Sequence, residues 1–208
     1  SIVDINSGRQ FLWAIQNVLL SKLFGLRILA VIHGGGFIEM HKKHSRLVNI
    51  LLQLTDVISS PSKIISEYIN KNFTKRCHEL PNGIDCKQYA ITRERHTPDF
   101  LYVRGYHDIY NPMMALKAFR IISNEIPHAR LNMYGVIGSQ SCYIECSNYI
   151  QKNSLSRNVQ IHGPIDKILM PNIMKKSSFL LNTTNYESFG ISLMEAAAAS
   201  MCSISTSV

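Results

Sequence analysis

The chain has 208 residues, 46% hydrophobic and 17% charged, which excludes a disordered segment and supplies enough apolar surface for a core. Lys plus Arg outnumber Asp plus Glu by 22 to 14, a formal charge of +8, so an anionic partner is expected. The absence of repeats, low-complexity runs and RNP-like or zinc-finger spacings argues against fibrous classes and against nucleic acid as that partner.

Short apolar strands alternate with amphipathic helices along the chain. The start, Ser1 to Asp4, does not read as a signal peptide. Ile2 to Ile5 reads as a strand, and Ser7 as the cap of a helix from Gly8 to Leu23, burying Phe11, Ile15, Val18, Leu19 and Leu23. The apolar stretch from Phe11 to Phe24 is interrupted by Gln16, Asn17, Ser21 and Lys22, short of the ~20 apolar residues of a membrane span. Arg27 to His33 is a near-continuous apolar strand of the kind buried on both faces, broken by Gly34, Gly35 and Gly36. His41, Lys42, Lys43 and His44 read as a solvated basic turn. A helix from Ser45 to Leu54, a strand from Asp56 to Ser59, a helix opened by Pro61 and running to Asn72, and a strand from Arg76 to Leu80 follow.

Polar residues 84–97 carry Lys87, Arg93, Glu94, Arg95 and His96 and read as a linker. The pattern then restarts with a strand from Phe100 to Val103, a helix from Met113 to Asn124 and a strand from Arg130 to Tyr134. A helix from Ser141 to Lys152, a strand from Val159 to His162 and a helix from Ile165 to Lys175 come next. Phe179 to Leu181 is a strand, Gly190 to Ala199 a helix, and Cys202 to Ile204 the last strand. This alternation argues an α/β fold with two parallel-sheet, Rossmann-like domains, 1–84 and 98–208, joined by residues 85–97. Ligands in such folds bind at the carboxyl ends of the strands.

Five cysteines with no CxxC pair argue against a disulfide framework or a zinc ribbon and for buried free thiols, Cys142 and Cys146 sharing a helix face. Glu187 and Glu195 lie eight positions apart across a loop-to-helix junction, ~12 Å if helical. Glycoside-hydrolysing carboxylate pairs sit roughly 5–9.5 Å apart, so this spacing better suits two grips on one elongated ligand. The spacing alone also fits Glu187 as a helix N-terminal acid and Glu195 as a solvated helix residue.

The segment from Glu187 to Glu195 resembles the E-x7-E signature of retaining nucleotide-sugar glycosyltransferases of the GT-B fold, family 4 type. Around it, Ser178 to Ala199 is similar to that family's strand, E-x-F-G loop and E-A-x-A helix. Ile58 to Lys63 resembles its V-T-x-P-S-x segment, Leu80 to Asp85 its I-P-N-G-I-D hinge, Ala129 to Gly135 its A-x-L-x-I-x-G strand, and Val159 to Gly163 its V-x-F-x-G strand. The resemblance implies transfer of a sugar from a nucleoside diphosphate sugar to a hydroxyl acceptor with retention of configuration. It implies that His33 and Glu187 face the transferred sugar, that Phe189 and Gly190 amides meet the sugar or its phosphate, and that Glu195 accepts from ribose hydroxyls. Gly135 and Gly138 would shape the nucleotide loop, backbone near Ile161 would contact the base, and Arg104 would hold the diphosphate.

Two departures stand out. Arg104 comes one place early, and Tyr110 stands where the family carries a lysine, leaving Lys117 or a histidine to substitute. The family's opening strand and Gly-rich loop, and its closing helices, are not found here, so both domains are expected to be incomplete and the chain inactive in transfer by itself. No D-x-D pair lies near a strand end in the second half and Asp166 is isolated, so no metal or cofactor is expected. The acceptor is expected to be a glycan, a lipid-linked or a small molecule, and the location cytoplasmic, peripheral at the inner face of a membrane. The alternatives are a non-catalytic sugar-nucleotide-binding module and an epimerase or phosphorylase on the same fold; no pyridoxal lysine or epimerase acid pair supports the last.

Overall fold

The computed structural model describes residues 1–208 except 9, 34, 90–96, 188 and 208. The chain divides into two compact units, residues 1–83 with 187–189 and residues 84–186 with 190–208.

In the first unit β1 (Ile2–Ile5), β2 (Leu29–Ile32), β3 (Val57–Ser60) and β4 (Cys77–Glu79) form a parallel sheet in sequence order. They are joined by α1 (Gln10–Leu23), the pair α2 (Phe37–Lys43) and α3 (Ser45–Leu54), and α4 (Lys63–Asn72). Ile5, Ile32 and Ile58 of the sheet bury against Val18, Leu52 and Ile69 of the helices. Helix α1 is first assigned at Gln10, not Gly8, because Gly8 has a φ of 75°, a left-handed conformation that cannot continue a right-handed helix. Its buried face is Phe11, Ala14, Val18 and Ser21, a helical stripe at steps of three and four. Leu19 and Leu23, expected inside, are exposed. The helix expected from Pro61 starts at Lys63, since Ser62 is extended and its amide is held by the Ser60 hydroxyl at 3.2 Å.

The expected basic turn at 41–44 is the end of α2. His41 is half-buried, its Nδ1 2.8 Å from the Tyr68 hydroxyl and its ring 4.6 Å from that of Phe73. Only Lys42, Lys43 and His44 are solvated as expected. Gly34, part of the glycine break, lies outside the described residues.

The second unit holds β5 (Asp99–Tyr102), α5 (Pro112–Glu125), β6 (Arg130–Tyr134), α6 (Gln140–Lys152), β7 (Val159–His162), α7 (Met170–Lys175), β8 (Phe179–Asn182), α8 (Ile191–Ala198) and β9 (Cys202–Ser205). Its parallel sheet runs β7-β6-β5-β8-β9. The Asn111 side chain accepts from the Met114 amide at 3.2 Å and Pro112 fills the first turn, which fixes the start of α5. The helix expected over 165–175 splits into a 3-10 turn, Lys167–Leu169, and α7. Asp166 caps the turn through the Ile168 amide, and Pro171 has no N–H to carry an earlier helix forward.

The segment read as a linker begins inside this unit. Asp85 caps a 3-10 turn, Cys86–Gln88, and Tyr89 is buried with Leu101, Met174, Leu180 and Ala196. Residues 90–96, the rest of that segment, lie outside the described residues. All five cysteines are free; Cys77, Cys142 and Cys146 are buried, while Cys86 and Cys202 are exposed, contrary to expectation. Burial pushes the Cys146 thiol up to about 12, so it carries no thiolate for metal or redox work at neutral pH. Among the described residues no helix is long and apolar enough to cross a membrane, and no group of three or more His, Cys, Asp or Glu is placed to hold a metal ion.

Candidate functional site

From β5 the second sheet grows outward to β6 and β7, and the chain then returns to lay β8 on the other side of β5. That reversal makes a switch point between β5 and β8, where loops leave in opposite directions and open a crevice at the strand carboxyl ends. Arg104 follows β5 and Asn182 ends β8. The guanidinium Nε lies 3.5 Å from Asn182 Oδ1, and the Asn182 amide donates to Ser205 Oγ at 3.2 Å. Tyr110 stacks beneath Arg104, ring centroid 5.6 Å from Cζ. The residue standing in place of the expected lysine is thus a platform for the arginine, holding its plane by cation–π attraction. Lys117 is exposed on α5, and His107 caps the turn Asp108–Tyr110 by accepting from the Ile109 amide at 3.2 Å.

Several bonds lace the loops at this edge. Thr183 donates to the Asn111 carbonyl at 2.8 Å, the Asn185 amide to Ile109 at 2.8 Å, and the Asn185 side chain to Asp108 at 3.0 Å. The Tyr106 amide donates to Val136 at 2.9 Å, and Ser139 to Tyr106 at 2.8 Å, which zips the loop after β5 to the loop after β6. This approach is so close that a Cβ on Gly135 would overlap the Arg104 carbonyl and lie 2.9 Å from Gly105 Cα. Gly135 is demanded by backbone packing. Gly138 is not, since a Cβ there has ordinary room 3.5 Å from His107. The Gly135 amide also donates to Gly163 at 3.3 Å. Ile161 pairs with Met133 on β6, and its side chain packs on the core beneath α5 and α6. Beside it the His162 ring stacks on Tyr134, centroids 4.2 Å apart, and its Nε2 lies 3.0 Å from Asn132 Oδ1. A cleft of about 580 Å³ opens over Arg130, Asn132, Gln160 and Lys176. It runs along the sheet face from Asp99 and Arg130 at strand amino ends to Tyr134 and His162 at the carboxyl ends of β6 and β7.

Helix α8 starts at Gly190, whose φ of 78° turns the chain sharply into it, with no side-chain cap. Ser192, in its first turn, is buried with a hydroxyl that has no hydrogen-bond partner among the described residues. Glu195 is only 6% exposed, not the solvated residue that spacing allowed. Its carboxylate accepts from the buried Tyr89 hydroxyl; burial first, then that bond and the Glu195 charge, hold the hydroxyl protonated well above the usual tyrosine range. The Phe189 amide lies 3.5 Å from Glu187 Oε1, and both residues group with the first unit. Ser188 lies outside the described residues. In the first unit His33 directly follows β2, its Nε2 2.9 Å from Asp4 Oδ1 on β1.

The model of the family described as glycosyl transferases group 1 matches residues 87–208, more than half of the chain. The chain belongs to that family. Known structures agree in fold. A sucrose-phosphate synthase from Thermosynechococcus elongatus superposes with a TM-score of 0.80 at 17% identity, over 100% of this chain and 56% of that one. Anabaena HepE in complex with UDP and glucose gives 0.78 at 15%, over 97% and 58%. A glycosyltransferase from Rickettsia africae gives 0.73 at 16%, over 100% and 58%. The chain therefore spans less than two thirds of the length of these structures and shares the GT-B fold with them. No curated protein matches it in sequence.

For this group 1 glycosyltransferase chain, the second unit brings Arg104, Gly135 and the Ile161–Gly163 backbone to one edge of the sheet. Asn182 and Tyr89 escaped sequence reasoning, which marked Tyr110 only as a replaced lysine: only strand order makes Asn182 a neighbour of Arg104, and only packing sets Tyr89 under Glu195. Ser192 was legible in part, as a small polar residue in the first turn after Gly190.

Proposed function

We propose that the protein transfers a hexose from a nucleoside diphosphate sugar to a hydroxyl acceptor with retention of configuration, without a metal or cofactor. The unpartnered Ser192 hydroxyl in the first turn of α8 carries this reading. A buried hydroxyl left without a partner costs about 1–3 kcal/mol unless a ligand satisfies it. At a helix N-terminus the matching ligand is an anion, because free N–H groups and the helix dipole favour negative charge there. Three residues on, Glu195 presents a carboxylate, an acceptor suited to ribose hydroxyls. A phosphate at Ser192 and a ribose at Glu195 are the two ends of a nucleoside diphosphate, and UDP is the nucleotide in the HepE complex.

In this reading Arg104, flattened on Tyr110, clasps the departing diphosphate as a planar, permanently charged fork. Backbone at Ile161 to Gly163 receives the base. His33 and Glu187 act on the transferred sugar, where positive groups and oriented amides lower the barrier by stabilising leaving-group charge. The acceptor is a glycan, a lipid-linked or a small-molecule hydroxyl; a lipid-linked one goes with a cytoplasmic protein peripheral at the inner face of a membrane.

Titration calorimetry of this chain with UDP and with uridine tests the reading. Ser192→Ala and Arg104→Ala are expected to weaken UDP and leave uridine unchanged. UDP affinity equal to that of uridine in the unaltered chain sinks the phosphate site. Transfer from UDP-glucose by the full gene product, with product anomer read by NMR, tests retention; tight donor binding without turnover would favour the non-catalytic module.

A further inference from the structure

Glu195 is a buried carboxylate on α8, one turn beyond Ser192. Among the described residues no lysine, arginine or histidine pairs with it. A carboxylate out of water needs donors, and its two oxygens offer about four acceptor positions. Among the described residues one side chain donates to it, the Tyr89 hydroxyl.

The route by which Tyr89 arrives there is fixed. Asp85 accepts from the Lys87 amide at 3.1 Å and from the Gln88 side chain at 3.2 Å. The Tyr89 amide then donates to the Cys86 carbonyl at 3.1 Å, closing the 3-10 turn that carries the ring. The ring lies in one buried cluster with Leu101, Met174 and Leu180 and with Ala196 and Ala199 at α8, whose small side chains leave room for it. Packing alone would be met by phenylalanine, without the cost of burying a hydroxyl. The bond to Glu195 offsets that cost and has a further effect. The last torsion of a glutamate is broad, so an unheld carboxylate swings. One strong donor on one oxygen pins it and aims the remaining lone pairs in a fixed direction.

We infer that Tyr89 is a positioning residue: it orients the Glu195 carboxylate to accept from the adjacent hydroxyls of a ribose, and so sets the preference of the site for ribonucleotides over their deoxy analogues. The inference rests on the ribose role proposed above for Glu195 and names the residue that makes that carboxylate selective. A pinned acceptor loses less freedom when the diol arrives. A ligand without the hydroxyls leaves the buried oxygens short of donors, which is how a polar site rejects an analogue lacking its hydroxyl.

Titration calorimetry with UDP and with 2′,3′-dideoxy-UDP reads the preference directly. The unaltered chain is expected to bind UDP at least about tenfold more tightly than the dideoxy analogue. Tyr89→Phe keeps the ring in the cluster and removes only the oxygen. It is expected to weaken UDP by about fivefold or more and to leave the dideoxy analogue within about twofold, so that the preference shrinks. A merely structural role would move both ligands alike, and equal losses overturn the inference. So does a preference kept intact in Tyr89→Phe; in both cases the ribose contact of Glu195 still stands. Any further loss of preference when Tyr89→Phe is added to Glu195→Gln means that the tyrosine meets the ribose itself, and also overturns the positioning role. A Tyr89→Phe chain that fails to fold, read by circular dichroism, makes the hydroxyl a support of the core and has the same consequence. No preference in the unaltered chain sinks the ribose role of Glu195, and this inference with it.

Discussion

The two units solve one problem, fixing polar groups at the carboxyl ends of parallel strands, with very different numbers of bonds. In the second unit, loops after β5, β6 and β8 are tied together by Thr183, Asn185, Tyr106 and Ser139, and Gly135 lets two backbones nearly touch. In the first unit, His33 has one side-chain partner among the described residues, Asp4, and both are substantially solvated. A laced edge is preorganised, whereas a single exposed pair contributes little rigidity. On the proposed reading, the rigid edge is the one that grips the nucleotide.

The comparison breaks most easily at Gly135. Gly135→Val is expected to lose at least about 1–3 kcal/mol of stability, because the colliding neighbour is backbone and cannot move aside. Gly138→Ala should stay within about 0.5 kcal/mol, since ordinary contact distance is available there. Chemical denaturation of both variants checks this, and similar losses would mean that the close approach is not what requires glycine.

Next comes the Tyr89–Glu195 pair. Glu195→Ala is expected to weaken UDP and uridine alike by about 1–3 kcal/mol, the cost of leaving hydroxyls unpaired. That pattern differs from the one expected of Ser192→Ala and is read in the same calorimeter. A loss confined to UDP would move Glu195 from the ribose to the phosphates.

Thr183→Val against Asp4→Asn contrasts the two edges directly. The first removes the hydroxyl that donates to the partly buried Asn111 carbonyl, which keeps the Met114 amide, and should cost about 1 kcal/mol; the second removes an exposed pair and should cost less, about 0.5 kcal/mol or under. Thermal melts of the two variants give the order, and a reversed order would refute the contrast.

The smallest effect lies at Asp56, whose carboxylate accepts from the Ile28 amide at 2.8 Å and from Lys22. The amide bond foremost, then Lys22, hold its pKa below the ordinary value of 3.8. A depressed folded pKa gives stability that is present above the unfolded value and lost as pH falls through the folded one. Asp56→Asn should therefore lower the melting temperature slightly near neutrality, with the gap closing in acid below 3.8. A gap independent of pH would leave the carboxylate charge without a role.

What the sequence determined by itself was whatever period and local chemistry encode. Alternating apolar strands and amphipathic helices give two parallel sheets, and the ordered signatures from Ile58 to Glu195 give the family. Boundaries failed where local backbone chemistry overrode periodicity, as at Gly8, Ser62 and Pro171. Tertiary structure alone decided which face of α1 is buried, since both faces are apolar and periodicity is symmetric between them. It alone set Asn182 beside Arg104, Tyr110 beneath it and Tyr89 under Glu195. Those partners lie between six and 106 positions apart. Residues so separated meet only through strand order and core packing, and no local pattern in a chain records either.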